Sequence, residues 1–180
     1  WLRLVIAAAV VAALVVALVL VRRGGAQDAA AETAADDSER ISIIDLPRES
    51  IQAVRISREE GPLVLKAGPD GVLDPVYEYE VTYNRSRVDR IVGSASSLVS
   101  RRVIEESAED LAAYGLAEGA ATVEVTTTDG EQAKLLIGNR SPARDGYYVR
   151  TADSAAVYLV SRTWIAPFFY TLDELRDKSL

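Results

Sequence analysis

The stretch that decides the fold is ATVEVTTTDGEQAKLLIG, residues 121–138. Its two halves, ATVEVTTT and EQAKLLIG, flank Asp129-Gly130, and Asp-Gly is a preferred pair for a two-residue hairpin turn. The stretch therefore predicts two antiparallel strands joined by a tight turn. We therefore expect the fold to be built on an antiparallel sheet that contains this hairpin.

The segments on both sides of this hairpin predict further strands. Residues 76–83 alternate between apolar and polar side chains, which is the period of a half-buried strand. Turns are predicted at Pro69-Asp70-Gly71 and at 152–154. The other predicted strands lie at 51–57, 63–66, 101–105, 147–151 and 156–160.

Three helices are predicted between or after these strands. Asn84 is a good N-cap for a helix over 84–99, whose apolar stripe consists of Val88, Ile91, Val92, Ala95, Leu98 and Val99. Gly93 lies beside this stripe, where it would allow a close backbone contact. Ser107 caps a brief helix that Gly115 ends, and Thr171 with Glu174 has the spacing of a capping box. Strands and helices do not alternate regularly, so the fold class is α+β with a mostly antiparallel sheet.

The first 40 residues divide into an apolar part and an acidic part. Residues 4–21 are 18 consecutive apolar residues, followed by Arg22-Arg23. A helix of this length spans about 27 Å, close to the thickness of a bilayer core. Residues 1–23 are therefore predicted to be a single transmembrane helix that contacts membrane lipid through 4–21. Residues 24–40, rich in Gly, Ala and acids, are predicted to be a tether to an α+β domain at 41–180.

Composition excludes several kinds of chemistry. The chain has no Cys and no His, so it has no thiolate nucleophile, no Ser-His-Asp triad and none of the preferred zinc ligands. It also has no phosphate-binding loop and no nucleophile elbow. Beyond the anchor, 17 basic and 27 acidic side chains give a net charge of −10, which argues against nucleic acid as a partner. We expect no cofactor, no metal and no enzymatic activity.

Paired carboxylates support a competing class, an envelope domain that processes or binds carbohydrate. Glycosidases use two carboxyl groups roughly 5–10 Å apart, and acidic pairs occur at Glu78/Glu80, Glu105-Glu106 and Glu109-Asp110. A Ser–Lys dyad would require one of Ser94, Ser96, Ser97 and Ser100 to meet Lys66, Lys134 or Lys178 in space. We expect the acidic pairs to lie on solvated faces instead.

An aromatic cluster near the end of the sequence supplies the candidate partner-binding residues. They are Trp164, Ile165, Phe168, Phe169 and Tyr170, which surround Pro167. The cluster either closes one end of the core or forms an exposed apolar patch that docks on a membrane partner. Solvent exposure of Trp164 and Phe168 distinguishes these alternatives.

The order of several short motifs resembles the bacterial domain-of-unknown-function 4340 family. These motifs are Tyr114-Gly115-Leu116, Ile137-Gly138, Tyr147-Tyr148-Val149-Arg150, Val157-Tyr158-Leu159-Val160 and Leu175-Arg176-Asp177-Lys178. Ala117-Glu118-Gly119 departs from the pattern, because members often have a proline there. The resemblance implies an auxiliary protein of gliding-motility-type ABC transporters, with permease or ATPase subunits as partners and no catalytic residues. A free-standing envelope sensor or adhesin remains an alternative.

Two arguments about orientation in the membrane disagree. Arg22 and Arg23 against Arg3 alone favour a cytoplasmic domain by the positive-inside rule. Position 1 is not Met, so this comparison uses an incomplete N-terminal flank. The family resemblance implies an extracytoplasmic domain on a single-pass membrane protein, and we give that argument more weight.

Overall fold

The computed structural model describes residues 40–76 and 81–177. The chain divides after Arg40, and the fold described below is that of the unit beginning at Ile41. Its strands are β1 (Ile41–Asp45), β2 (Ile51–Ser57), β3 (Leu63–Ala67), β4 (Leu73–Pro75), β5 (Ser97–Ser100), β6 (Arg102–Glu105), β7 (Ala121–Thr127), β8 (Gln132–Arg140), β9 (Gly146–Thr151) and β10 (Val157–Ser161). Its helices are α1 (Arg85–Ser96), α2 (Arg162–Ile165) and α3 (Leu172–Leu175), with 3-10 helices at Arg48–Ser50 and Ala166–Phe169.

Eight of the strands form one sheet in the order β4-β3-β2-β7-β8-β9-β10-β6, and every neighbouring pair is antiparallel. The hairpin predicted from 121–138 supplies β7 and β8 at the centre of this sheet. The prediction of a mostly antiparallel sheet with short helices is confirmed. Most of the other predicted strands agree with observed ones to within one residue at each end.

One face of the sheet forms the hydrophobic core with α1 and the C-terminal segment. On β7, Val123 and Val125 are fully buried, whereas Glu124 between them points to the other face. Val123 pairs with Leu135 on one side and Ile56 on the other, so three strands place apolar side chains in register. Ile91 of α1 and Phe168 of the 3-10 helix complete the same cluster.

The prediction of a helix over 84–99 is right about its start and wrong about its end. The side chain of Asn84 accepts a hydrogen bond from the Arg87 amide at 3.2 Å, as an N-cap does. The helix ends at Ser96, and Leu98 and Val99 belong to β5, which pairs with β1. Leu98 is still fully buried. Serine and β-branched residues are weak helix formers, so pairing with β1 determines the conformation here.

Ser100 fixes the corner at which the chain leaves the two-stranded β1–β5 sheet and joins the large sheet as β6. Its hydroxyl donates to the Leu159 carbonyl at 2.7 Å and accepts from the Arg102 amide at 3.1 Å. The side chain is 3% exposed. Because a buried hydroxyl without partners would cost free energy, these two bonds stabilise the corner.

A turn rather than the predicted brief helix crosses the opposite face of the sheet. The cap is Asp110, not Ser107: its carboxylate accepts from the Ala112 and Ala113 amides at 3.1 and 3.2 Å. The Leu116 amide then bonds the Leu111 carbonyl, and Gly115 has φ +68°. This is a Schellman motif without a preceding helix, because the segment is too short to propagate one.

The turn packs on β8, β9 and β10, where it forms a second apolar cluster. Leu116 and Val157 are buried but do not belong to the main core. The Tyr114 and Tyr148 rings meet edge to face at 5.0 Å, and the Tyr114 carbonyl accepts the Asn139 amide at 2.8 Å. Four of the five short motifs that carry the family resemblance thus lie on the turn and on the three strands beneath it; the motif that begins at Leu175 does not.

The hairpin turn differs from the two-residue turn that Asp129-Gly130 predicts. The Gly130 amide bonds the Thr127 carbonyl, and the Thr127 amide bonds the Glu131 carbonyl, so residues 128–130 form a three-residue loop. Gly130 has φ +89°, but Asp129 is not in the left-handed region, which a two-residue type I′ turn would require. The Thr127 hydroxyl donates to the Asp129 carboxylate and holds the pKa of that carboxyl below its ordinary value.

Two sequence predictions fall wholly or partly outside the described residues. In the predicted strand at 76–83, residues 77–80 are not described; of the rest, Tyr83 forms an isolated bridge to Arg176 and no strand includes the others. The second is the N-terminal part: the predicted anchor at 1–23 lies outside, and so does the predicted tether at 24–40 except for Arg40. Within 40–76 and 81–177, no helix has the length and hydropathy needed to cross a bilayer.

Candidate partner-binding groove

The aromatic segment at 164–170 divides between the core and the surface. Ile165 and Phe168 are 0% and 1% exposed and fill the core. Trp164 and Phe169 are each 37% exposed, and Tyr170 is half-buried. Phe168 is therefore buried, as expected if the cluster closes the end of the core. Trp164 is exposed, as expected if the cluster binds a partner.

A buried arginine holds this segment in place. Arg58 follows β2, and its side chain is 8% exposed. Its guanidinium donates to the Phe168 carbonyl at 2.8 Å and to the Tyr170 carbonyl at 2.7 Å. The Nε atom has no hydrogen-bond partner among the described residues, although Glu60 Oε2 lies 3.9 Å away. Because carbonyl oxygens compensate part of the cost of burying this cation, the bonds fix the backbone on both sides of Phe169.

Trp164 forms one wall of a groove of about 500 Å³ between α1 and the C-terminal segment. The side that belongs to the C-terminal segment is mainly apolar, because Ala166, Pro167 and Tyr170 stand beside the indole. The other side is formed by Arg90, Gly93 and Ser94 of α1. A Cβ on Gly93 would have only the Arg48 guanidinium nearby, at 3.9 Å. The predicted close backbone contact at Gly93 is therefore wrong. Because Gly93 has no side chain, nothing projects from this position into the groove.

A second depression of about 270 Å³ shares Trp164 with the groove. Its lining residues are Val99, Arg101, Arg102, Asp145, Leu159, Ser161 and Trp164. Asp145 accepts a hydrogen bond from the Ser141 hydroxyl, which lowers the pKa of its carboxyl, and Arg102 adds to the shift. Among the described residues that line the two depressions, one is acidic, Asp145, and three are arginines. The surface around the indole is therefore positively charged.

Ring stacking and cation–π contacts hold two other aromatic side chains of the segment, Phe169 and Tyr170. The Phe169 ring stacks on Tyr147 with centroids 5.7 Å apart, and the Arg140 guanidinium lies 5.8 Å from the Tyr147 centroid. The Arg87 guanidinium lies 5.5 Å from the Tyr170 centroid. Such cation–π contacts orient rings without burying them. The rings of Phe169 and Tyr170 are thus already held in place.

The residues considered for catalysis make separate hydrogen bonds and ion pairs that stabilise the fold. Glu105 accepts the Tyr114 hydroxyl at 2.8 Å, which together with burial raises the pKa of that tyrosine. Lys134 pairs with Glu124 at 2.9 Å. Ser96 donates to the Gly93 carbonyl. Glu78, Glu80 and Lys178 lie outside the described residues, and the part of the chain that is described holds no cluster of three or more metal-ligating acids.

The sequence pattern did not single out Arg58 or Arg90 as parts of this site. Arg90 occupies the polar face that α1 was predicted to have, where a charged side chain is ordinary. Arg58 comes directly after a strand and resembles any solvated strand end. The sequence offered one indirect indication of a partner such as Arg58. Pro167 interrupts regular helix bonding, so backbone carbonyls of the aromatic cluster need a hydrogen-bond donor from elsewhere.

The described residues define an antiparallel sheet domain whose surface carries an apolar groove bordered by arginines. Residues 76–180 match the family described as a domain of unknown function, DUF4340, and the chain belongs to this family. The resemblance seen in the motifs is thereby confirmed. The match starts after β4, so β1 to β4 precede the matched part. Neither a curated protein nor a solved structure matches the chain.

Proposed function

We propose that this protein is a non-enzymatic accessory subunit whose domain binds another protein at the Trp164 groove. The observation that supports it is the position of Trp164, 37% exposed on the wall of a preformed groove of about 500 Å³. Aromatic anchors in apolar, concave surfaces carry much of the binding free energy of protein interfaces. Arg58 holds the wall in place, which reduces the entropy lost on binding.

The proposal includes membrane attachment and a transporter partner. Residues 4–21 have the length of a single-pass helix, and the family resemblance favours a domain outside the cytoplasm and an ABC transporter as the partner. Attachment to the same membrane raises the effective concentration of a membrane partner, so the groove itself needs only modest affinity.

Affinity capture of the tagged full chain from native membranes tests this proposal. We expect an ABC permease or ATPase to be captured by the wild type and lost with Trp164→Ala. Arg55→Gln, an exposed substitution on β2, is the control and should leave capture unchanged. If a transporter is captured equally well by Trp164→Ala, the groove is not the binding site. If no transporter subunit is captured, the sensor or adhesin alternative remains.

Protease treatment of intact spheroplasts tests orientation separately. A domain outside the cytoplasm is digested while cytoplasmic markers stay intact. Protection until lysis would mean that Arg22 and Arg23 set the orientation.

Carbohydrate binding is the second candidate, because an exposed indole beside hydroxyl and guanidinium donors also suits a sugar ring. Trp164, Thr163 and Arg90 line the same groove. Titration with envelope oligosaccharides separates the two functions: a saturable shift of the Trp164 emission would favour carbohydrate.

A further inference from the structure

We infer that the Trp164 groove binds an acidic peptide segment that carries an aromatic or aliphatic side chain. This inference rests on the proposed function, since it specifies the chemistry of the partner that docks there. It combines three observations: an apolar wall, a positively charged rim on an acidic domain, and a concave shape that is already formed.

The apolar wall sets the first requirement on the partner. Trp164, Pro167 and Tyr170 present ring surfaces to a space of about 500 Å³, which lies in the range of about 300–1,000 Å³ in which proteins bind small organic groups. One or two apolar side chains fill such a space. Tyr170 is held by the Arg58 bond to its carbonyl and by Arg87 against its ring, so little ordering is needed.

The charge of the rim sets the second requirement. Arg90 stands on the α1 side, Arg101 and Arg102 lie across the indole, and Arg162 is exposed two residues before Trp164. Residues 41–180 contain 16 basic and 22 acidic side chains, so the rim is positively charged on a domain whose net charge is negative. Within the described ranges, the guanidinium groups of Arg90 and Arg162 take part in no hydrogen bond or ion pair. Guanidinium groups bind carboxylates through paired hydrogen bonds, which favours an acidic partner.

The shape of the surface favours a peptide over an anionic membrane. Phe168 is buried, and Trp164 lines a concave wall instead of projecting from the domain. A side chain that inserts into a bilayer must project, and a domain with excess acidic residues is repelled by an anionic membrane surface. A peptide segment places its apolar side chain in the groove and its carboxylates on the rim without either difficulty.

Fluorescence of Trp164 measures this binding directly. The chain has two tryptophans, so Trp1→Phe leaves Trp164 as the only reporter in the detergent-solubilised full chain. The probe is a blocked hexapeptide with four acidic residues around a Phe-Leu pair. The matched peptides replace the acids by their amides, or the Phe-Leu pair by two serines. We expect saturable binding of the first peptide and at least about tenfold weaker binding of the other two.

Substitutions in the protein supply the complementary test. Arg90→Gln and Arg162→Gln should each weaken binding about 2- to 5-fold, and Arg55→Gln should not. Because the charges are exposed, affinity should fall further as salt shortens the Debye length from about 10 Å at 0.1 M to about 3 Å at 1 M. Trp164→Ala, monitored with a labelled peptide, should cost about 30-fold or more.

Several results would overturn the inference. They are equal affinity for the acidic and amide peptides, no effect of either arginine substitution, or a Trp164 shift with phosphatidylglycerol vesicles and none with the peptides. Tighter binding of a peptide copied from residues 28–39 of this chain, which lacks an aromatic residue, would also overturn it. If partner capture needs Trp164 but not the two arginines, this inference fails while the proposed function stands.

Discussion

At the residue scale, Gly138 shows why two separate motifs of the family signature occur together. A Cβ built on Gly138 would lie 2.2 Å from the Tyr114 carbonyl oxygen, so the turn at 110–116 can pack on β8 only if this position has no side chain. Both Tyr114-Gly115-Leu116 and Ile137-Gly138 are needed for the same contact.

Gly138→Ala should therefore destabilise the domain by about 2–3 kcal/mol, because backbone rather than a flexible side chain must move. Gly93→Ala is the matched control: its new methyl group meets only the Arg48 guanidinium, at 3.9 Å, and should stabilise α1 by up to about 1 kcal/mol. Urea unfolding followed by far-ultraviolet circular dichroism measures both changes. Similar effects of the two substitutions would contradict this account of Gly138.

Arg58 gives a second prediction at this scale. Arg58→Met keeps much of the volume but leaves the Phe168 and Tyr170 carbonyls without their donor, so we expect a loss of about 2–3 kcal/mol. Arg55→Met on the same chain segment replaces an exposed guanidinium and should change the free energy of unfolding by less than about 0.5 kcal/mol. A red shift of the Trp164 emission with Arg58→Met alone would show that the groove wall has loosened.

At the scale of elements, the capping box of α3 connects stability to pH. The Thr171 hydroxyl accepts the Glu174 amide at 3.2 Å, and the Glu174 carboxylate accepts the Thr171 amide at 2.8 Å. That backbone bond lowers the pKa of Glu174, with smaller contributions from the Thr171 hydroxyl and from Arg87. A carboxyl with a lowered folded-state pKa stabilises the fold above its unfolded pKa, and this stabilisation is lost as pH falls through the folded value.

Glu174→Gln should accordingly flatten the fall of stability between about pH 5 and pH 3. Thr171→Ala should cost about 1 kcal/mol at pH 7 by removing the N-cap. Thermal unfolding over that pH range tests both. The first prediction fails if the wild type and Glu174→Gln lose stability in parallel as the solution is acidified.

The sequence predicted those elements whose signal is local. The hairpin loop between Thr127 and Glu131, the N-cap at Asn84 and the capping box at Thr171 depend on residues within four positions of each other, and each is present in the structure. The end of α1 was predicted wrongly, because it depends on pairing of β5 with β1, more than 50 positions away. The helix expected before Gly115 is a turn because the segment is too short to propagate a helix, and its contact with β8 holds the turn in place.

Part of the candidate site, its aromatic residues, could be predicted from the sequence. A concentration of aromatic residues at 164–170 is visible in the sequence, but which of them face the core is not. That division follows from Arg58 and from the position of α1, and both act across the fold rather than along the chain. The positive rim was equally hidden, because Arg90 and Arg162 are far apart in sequence and lie within an acidic composition.

At the scale of the whole molecule, one core cluster joins residues from Ile44 to Leu175. Within the described part of the domain, the C-terminal segment shares this core and has no separate apolar interior of its own, so the domain should unfold as a single cooperative unit. In a Trp1→Phe background, Trp164 fluorescence and circular dichroism at 222 nm, the usual far-ultraviolet wavelength, should give coincident urea transitions. A fluorescence transition at lower urea would show that the groove wall opens before the sheet.

The bonds from Arg58 to Phe168 and Tyr170 also have a consequence for how the protein is made. They join residues 110 and 112 positions apart in sequence. During synthesis, β2 and β3 leave the ribosome long before Ile165, Phe168 and Leu175, which cover the same core. A nascent chain that has reached only β10 therefore exposes an apolar sheet face and a guanidinium that lacks its carbonyl partners. We therefore expect the domain to close only after translation of the groove segment, and the growing chain to be prone to aggregation until then.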